Sequence, residues 1–187
     1  AQYLVGLQQD GNTNCARRDR HVYLDSSGNL YFGVRRTSGT QVTVNTSGTN
    51  YADGNWHHVV AAYSVDSGIF LYVDGALANS NTSGAPYGEQ LANYTDVITV
   101  GGGDLSTGCG WPNITGSTAL NGSLDEVTYY TDLPLPTLAQ VQKRYRSRTC
   151  RTTTTFTNNT SANVAASFNN TTKVGKLFVN GVQECSA

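Results

Sequence analysis

The sequence predicts an all-β protein, an antiparallel two-layer sandwich with one short helix near its C-terminal end and an extended strand-forming tail. Three observations carry this. Short apolar or alternating runs recur from Tyr3 to Tyr130, and Gly, Asn, Asp or Ser punctuates nearly every gap between them. Only one segment has helical spacing. At 187 residues the chain is long enough for one domain with a substantial core.

The predicted strands, in order, are Tyr3–Leu7, His21–Leu24, Leu30–Arg35, Gln41–Val44, Trp56–Tyr63, Ile69–Val73, Val97–Val100 and Leu124–Tyr130. Ser26 to Asn29 reads as a hairpin turn between the second and third. Trp56–Tyr63 is aromatic, β-branched or small throughout, bounded by Asp53-Gly54 and Asp66-Ser67-Gly68. In the next strand Ile69, Leu71 and Val73 face one way while Phe70 and Tyr72 face the other. Asp74 and Gly75 then supply the positive-φ residues of a tight hairpin.

The helix follows Pro134 and Pro136. Thr137 caps Leu138–Ser147 and Gln140 completes a capping box. Leu138, Val141 and Tyr145 share a face that is expected to lie on the sandwich. Past Cys150 the composition shifts. Arg151–Thr160 is Thr/Asn-rich and suited to an extended, O-glycosylated segment. Asn163–Phe168 and Lys176–Glu184 follow as strand-forming pieces, with Asn180-Gly181 as a type I′ turn signal. Leu177–Gly181 echoes Leu71–Gly75, which reads as one hairpin rule used twice rather than as a repeat. The expected division is a sandwich over 1–149 and a tail over 150–187.

Composition narrows the function. Charged residues are 13% of the chain and the net charge is −1. The only basic run, Lys143–Arg148, reads as a solvated helix end, so no nucleic-acid face is expected. No apolar run reaches membrane-spanning length. The chain has no Met and starts at Ala1, as expected of a processed chain. The four cysteines, Cys15, Cys109, Cys150 and Cys185, lack metal-site spacing and read as two disulfides. Three connectivities are open. Cys15–Cys109 with Cys150–Cys185 is favoured, since it joins two loops and ties the tail to the domain. Asn-x-Ser/Thr sequons begin at Asn45, Asn81, Asn93, Asn113, Asn121, Asn158, Asn159, Asn169 and Asn170. Chance predicts roughly three or four from this composition, and the excess fits a secreted surface carrying covalent glycans.

An ordered set of short pieces resembles bacterial laminin-G-like modules of the concanavalin A-like class over about Ala1 to Arg148. The pieces are Asp19–Asp25, Gly28–Val34, Asp53–Val60, Leu71–Leu77, Val100–Asp104, Gly110–Pro112 and Leu120–Tyr130, with the closing helix. The resemblance implies a two-sheet antiparallel jelly roll that binds glycans, proteins or cell surfaces without chemistry, in some members with a calcium ion at the rim. Such modules ordinarily begin with further strands ahead of the position matching Tyr3. The sequence is therefore expected to form an N-terminally incomplete sandwich, whose unpaired backbone groups and open cleft need a complement. The candidates are its own tail, the tail of a neighbouring copy, or a separate fragment. Donation between copies builds fibres.

Chemical candidates are few. A glycosidase of this fold needs two carboxylates facing one cleft. Glu is scarce, and Asp125 and Glu126 as strand neighbours point to opposite faces. His57 and His58 alternate in the same way and read as packing or hydrogen-bonding residues. For calcium, Asp104 after three glycines matches the family's loop and is the first candidate, with Asp10 and Asp19 behind it. For glycans, Trp111 and Tyr87 sit in Gly/Pro-rich loops where an aromatic face can meet a pyranose; Trp111 covering the core edge beside Cys109 is the competing reading. The sequence thus predicts a secreted, non-catalytic structural or adhesion protein. It is expected to assemble with copies of itself by strand complementation, or to engage extracellular glycans and proteins. The alternatives are a soluble lectin-like module with rim calcium and a glycosidase.

Overall fold

The computed structural model describes residues 1–8, 18–35, 41–83, 97–103, 105, 109–115, 119–131, 134–149, 163–169, 171 and 174–186. They fall into two compact units, Ala1–Pro136 and Thr137–Ala187.

The first unit contains β1 (Gln2–Gln8), β2 (Arg18–Leu24), β3 (Leu30–Arg35), β4 (Gln41–Asn45), β5 (Val59–Ser64), β6 (Gly68–Val73), β7 (Ala76–Asn81) and β8 (Val97–Val100). The larger sheet has the order β4-β3-β2-β1-β8 and the smaller β5-β6-β7, with antiparallel pairing throughout. The turns follow from their residues. Between β2 and β3, Asp25 Oδ1 accepts the amides of Ser27 (2.8 Å) and Asn29 (2.9 Å), and Gly28 takes φ 78°. Between β6 and β7, Asp74 (φ 50°) and Gly75 (φ 79°) form the turn that their sequence predicts.

One face of the larger sheet meets the smaller sheet. Val22 and Leu24, Leu30, Phe32 and Val34, and Val42 and Val44 alternate into a core shared with Ile69, Leu71 and Val73. Each such side chain contributes about 1.5–3 kcal/mol by leaving water. The opposite face carries Tyr3, Tyr23 and Tyr31 and is covered by Leu105, Cys109, Trp111 and Ile114. With both faces covered, β3 is buried at every position from Leu30 to Arg35.

Two predicted strands differ from the structure. Regular pairing in the fifth begins at Val59, so Trp56, His57 and His58 lie ahead of the strand. Leu124–Tyr130 contains no strand. It is exposed throughout, and Glu126 takes φ 49°, which breaks the alternation on which the prediction rests.

The second unit consists of α1 (Leu138–Thr149) and a sheet of β9 (Val164–Asn169), β10 (Val174–Val179) and β11 (Val182–Ser186), in the order β11-β10-β9. The capping box forms as its sequence predicts. Gln140 N–H donates to Thr137 Oγ1 (3.3 Å) and Thr137 N–H to Gln140 Oε1 (2.8 Å). Val141 is buried, whereas Leu138, expected on the same covered face, sits at the first helical position and is exposed. Asn180 (φ 52°) and Gly181 (φ 78°) make the β10–β11 turn.

Candidate functional site

The covered outer face of the larger sheet is a polar and aromatic layer. Tyr3 OH lies 3.2 Å from His21 Nδ1 and 2.5 Å from Thr99 Oγ1. Trp111 stands edge-on to His21, with ring centroids 4.8 Å apart. Gly33 makes room for that indole, since a Cβ there would meet Trp111 Cζ3 at 2.6 Å. Asp19, wholly buried on β2, accepts the amides of Arg20 (2.8 Å) and Arg35 (2.7 Å), and its Oδ2 is 3.2 Å from the Arg20 guanidinium. Burial pushes its carboxyl upward against the pull of the Arg20 charge and these two bonds. Arg35 closes the layer by donating to the Cys109 carbonyl at 3.0 Å. This is a packed structural layer rather than a cleft, although the buried Trp111 Nε1–H finds no hydrogen-bond acceptor among the described residues.

The inner face is different. Because Thr99 points to the aromatic layer, its neighbours Ile98 and Val100 must point inward, toward the space between the sheets. Yet they are 47% and 49% exposed. Leu4 and Val5 of β1 are only partly buried. Sheet alignment explains this. β7 lies against β4, β6 lies against β4 and β3, and Arg20 of β2 reaches the Tyr63 ring of β5 at 5.4 Å. Three strands therefore cover β4, β3 and β2, and no described strand lies over the inner side of β8 and the adjoining part of β1. β5 pairs with β6 on one side, and no described strand pairs with its other edge. That edge reads Val-Val-Ala-Ala-Tyr-Ser, without the charge or Pro that ordinarily protects an edge strand. Trp56, just ahead of it, is 61% exposed.

At the start of β5 His57 is clasped between two carboxylates. Its Nδ1 is 2.8 Å from Asp74 Oδ2 and its Nε2 is 3.1 Å from Asp53 Oδ1. Partial burial pulls the imidazole pKa down, but the hydrogen bonds and charges of Asp74 and Asp53 outweigh it and the net shift is upward. Side-chain and backbone bonds from Asn55, with His57 behind them, hold Asp53 down at about 2. Asp74 Oδ1 also accepts the His58 amide at 2.9 Å, so the clasp ties the Asp53 turn to the β6–β7 turn. Elsewhere, a shallow cavity of about 380 Å³ lies where β4 and β7 end, lined by Asn45, Ser47, Thr49, Tyr51 and Asn79 among others, with no charged side chain.

The residues singled out by sequence are distributed as follows. Trp111 is 4% exposed, with its ring packed against His21 and Gly33 and clustered with Cys109, which is the core-covering reading rather than the sugar platform. Cys109 is buried and disulfide-bonded. Cys15 and Cys150 lie outside the described residues, as does the side chain of Cys185. Tyr87, Asp104 and Asp10 lie outside them too. Asp19, the remaining calcium candidate, is turned inward to Arg20 and Arg35 instead of standing at a rim. Among the described residues no group of three or more His, Cys, Asp or Glu is placed to hold a metal ion.

Of the sequons, Asn45 ends β4, Asn81 ends β7, and Asn113 and Asn121 are exposed. Asn113 Nδ2 donates to Tyr31 OH at 2.6 Å, and Asn81 Oδ1 accepts the Ser83 amide at 2.9 Å. Asn169 ends β9, its side chain outside the described residues, where Asn93, Asn158, Asn159 and Asn170 also fall. Asp125 and Glu126 are exposed on a segment without strand, so the opposed-face argument does not apply to them. Sequence reasoning expected an open cleft without saying which strands border it, and it read His57 as a packing or hydrogen-bonding residue without identifying its two carboxylate partners. The position of the cleft had a signal: Val97–Val100 is apolar on one side and nearly so on the other, the pattern of a strand meant to be covered on both faces.

Comparisons with known proteins place the chain. A laminin-G family model, described as the concanavalin A-like lectin/glucanases superfamily, matches residues 1–137. Among solved structures, an S-layer domain-containing protein (residues 221–444) from Clostridium thermocellum ATCC 27405 is similar at 18% identity and a TM-score of 0.41. The match covers 77% of this chain and 62% of that one. No curated protein matches. Among the described residues no helix is long and apolar enough to cross a membrane. With the family match spanning the whole two-sheet unit, the chain belongs to the concanavalin A-like lectin/glucanases superfamily.

Proposed function

We propose that this protein is a non-catalytic structural or adhesion component of a cell exterior, and that it assembles with copies of itself by strand complementation. The observation that carries the reading is the open inner face of β1 and β8 beside the unprotected edge of β5. Ile98 and Val100 are oriented to the core yet about half exposed, and Trp56 stands uncovered at the start of the edge. Burying such a surface is favourable at about 25 cal/mol per Å², and an incoming strand can hydrogen-bond along an edge with which no described strand pairs. The sequons and the disulfide at Cys109 support an extracellular setting. Negative-stain electron microscopy of native material tests this, with filaments or sheets expected; dispersed single particles would count against it.

A second reading, a glycan-binding module, is favoured by the uncharged cavity at Asn45, Ser47, Thr49, Tyr51 and Asn79, whose hydroxyls, amides and single aromatic ring suit a saccharide. A glycan array with and without chelator separates the two, and also tests the expectation of calcium at the rim.

A further inference from the structure

We infer that His57 is the positioning residue of the cavity at the ends of β4 and β7. Its imidazolium holds Tyr51 in place, so a saccharide binds there in acid and less tightly once the imidazole loses its proton. The inference rests on the glycan-binding reading of that cavity and adds its regulation.

Both nitrogens of His57 face carboxylate oxygens, Nδ1 at 2.8 Å from Asp74 and Nε2 at 3.1 Å from Asp53. Only the imidazolium carries an N–H on each nitrogen and can donate to both. A neutral imidazole keeps one N–H, and its other nitrogen then turns a lone pair on a carboxylate. One of the two bonds must therefore be given up when the proton leaves. The Asp74 bond is the firmer. It is the shorter, and Asp74 is tied to His58 twice, accepting that residue's amide at 2.9 Å and donating its own amide to the His58 carbonyl at 2.9 Å. Asp53 stands on an exposed turn, where its other bonds come from Asn55 of the same turn. Deprotonation thus releases the Asp53 turn from the imidazole.

Tyr51 stands two residues ahead of Asp53 and packs on the same imidazole. The two rings meet at 90° with centroids 4.9 Å apart. Tyr51 is held otherwise by its amide, which donates to the Gly28 carbonyl at 2.8 Å, and by a side-chain hydrogen bond with Thr49. Its backbone is anchored, so a loosened turn acts first on the ring. That ring is the aromatic wall of the cavity; the rest of the described lining is amide, hydroxyl and methyl, from residues such as Asn45, Ser47 and Asn79. None of these changes charge near neutrality. Burial and the Asp74 charge move the Tyr51 phenol upward, away from that range. A pH dependence of binding near neutrality is therefore supplied from behind the wall. Among the described residues the titratable groups against the imidazole are Asp53 and Tyr51 from the segment ahead of β5 and Asp74 from the β6–β7 turn, with His58 next in the chain.

Nuclear magnetic resonance of the intact, unreduced chain tests the inference, with the His57 and Tyr51 rings followed together from about pH 5 to about pH 9. In the free protein, cross-relaxation between the two rings is expected at low pH and should fade along the His57 titration. The binding probes are the neutral methyl glycosides of glucose, galactose, mannose and N-acetylglucosamine. At least one should shift the Tyr51 ring signals and bind roughly two- to tenfold more weakly at high pH, the worth of one aromatic contact. His57→Gln, which has no titrating ring, should flatten that profile; its folding is checked by circular dichroism, and the parent titration decides should it fold poorly. An inter-ring contact that survives loss of the proton, or a pH dependence retained in His57→Gln, would overturn the inference. A glycoside that binds through Tyr51 with equal affinity at both ends of the range would overturn it too, and would leave the glycan-binding reading standing. If no glycoside touches Tyr51 at any pH, that reading falls and the inference with it.

Discussion

Thr99 on β8 and Tyr3 on β1 share a hydrogen bond, oxygen to oxygen 2.5 Å, that fixes which way the edge strand faces. Thr99 also donates to the Gly6 carbonyl at 3.3 Å, so its side chain is held on the aromatic layer and Ile98 and Val100 are turned to the sandwich interior. Burial pushes the Tyr3 phenol up to about 12 against the pull of the Thr99 bond, so it stays neutral at ordinary pH. Tyr3→Phe removes a buried hydroxyl that Thr99 and His21 both contact. We expect a loss of about 1–3 kcal/mol in denaturant unfolding, with the Val97–Val100 amides exchanging faster because β8 is held less firmly.

Gly33 is required by the indole above it. A methyl there would meet Trp111 Cζ3 at 2.6 Å and Thr43 Cγ2 at 2.8 Å, and neither neighbour is the free end of a flexible chain. Gly33→Ala should cost about 1–3 kcal/mol and raise Trp111 fluorescence accessibility to a quencher, as the ring is lifted from the sheet.

Asp19 organises the far end of the same layer. Removing its carboxylate strands the two amides it binds and leaves the Arg20 guanidinium without its buried partner. Asp19→Ala is expected to destabilise by about 3–5 kcal/mol in chemical denaturation, and Asp19→Asn by less, because the amide oxygen can still accept.

The His57 clasp makes stability depend on pH. Its folded pKa is raised above the ordinary value of about 6.5, so its contribution is complete below that value and is lost as pH rises through the folded one. Asp53 works in the opposite sense. Held at about 2, it contributes above the ordinary carboxylate range and loses that contribution as pH falls toward its folded value. Melting temperatures of the parent and His57→Gln should differ most near about pH 5 and converge toward about pH 9. A gap that widens with pH would contradict the clasp.

Much of both units was legible because local rules decide it. Alternation at Leu30–Arg35 and Ile69–Val73, and the Asp74-Gly75 and Asn180-Gly181 turns, appear where the residues place them. The helix and its Thr137–Gln140 cap do too. What failed was long-range. Trp56 looks like a strand residue, but with no described neighbour pairing along the β5 edge, regular structure begins only at Val59. Leu124–Tyr130 has strand composition, yet Glu126 in the left-handed region interrupts it. The clasp joins Asp53, His57 and Asp74 through a hairpin whose closure no local pattern reveals. Trp111 left two readings open, a sugar platform or a cover for the core edge beside Cys109; the ring packed over Gly33 and clustered with Cys109 is the second.

Completion of the two-sheet unit by another copy has a measurable consequence in solution. Sedimentation velocity of the intact, unreduced 20.0 kDa chain over a wide concentration range tests it most directly. Species at multiples of the chain mass are expected, growing with concentration and shrinking when Val60→Lys places a charge on the β5 edge. A well-folded chain sedimenting as a monomer at every concentration would contradict it.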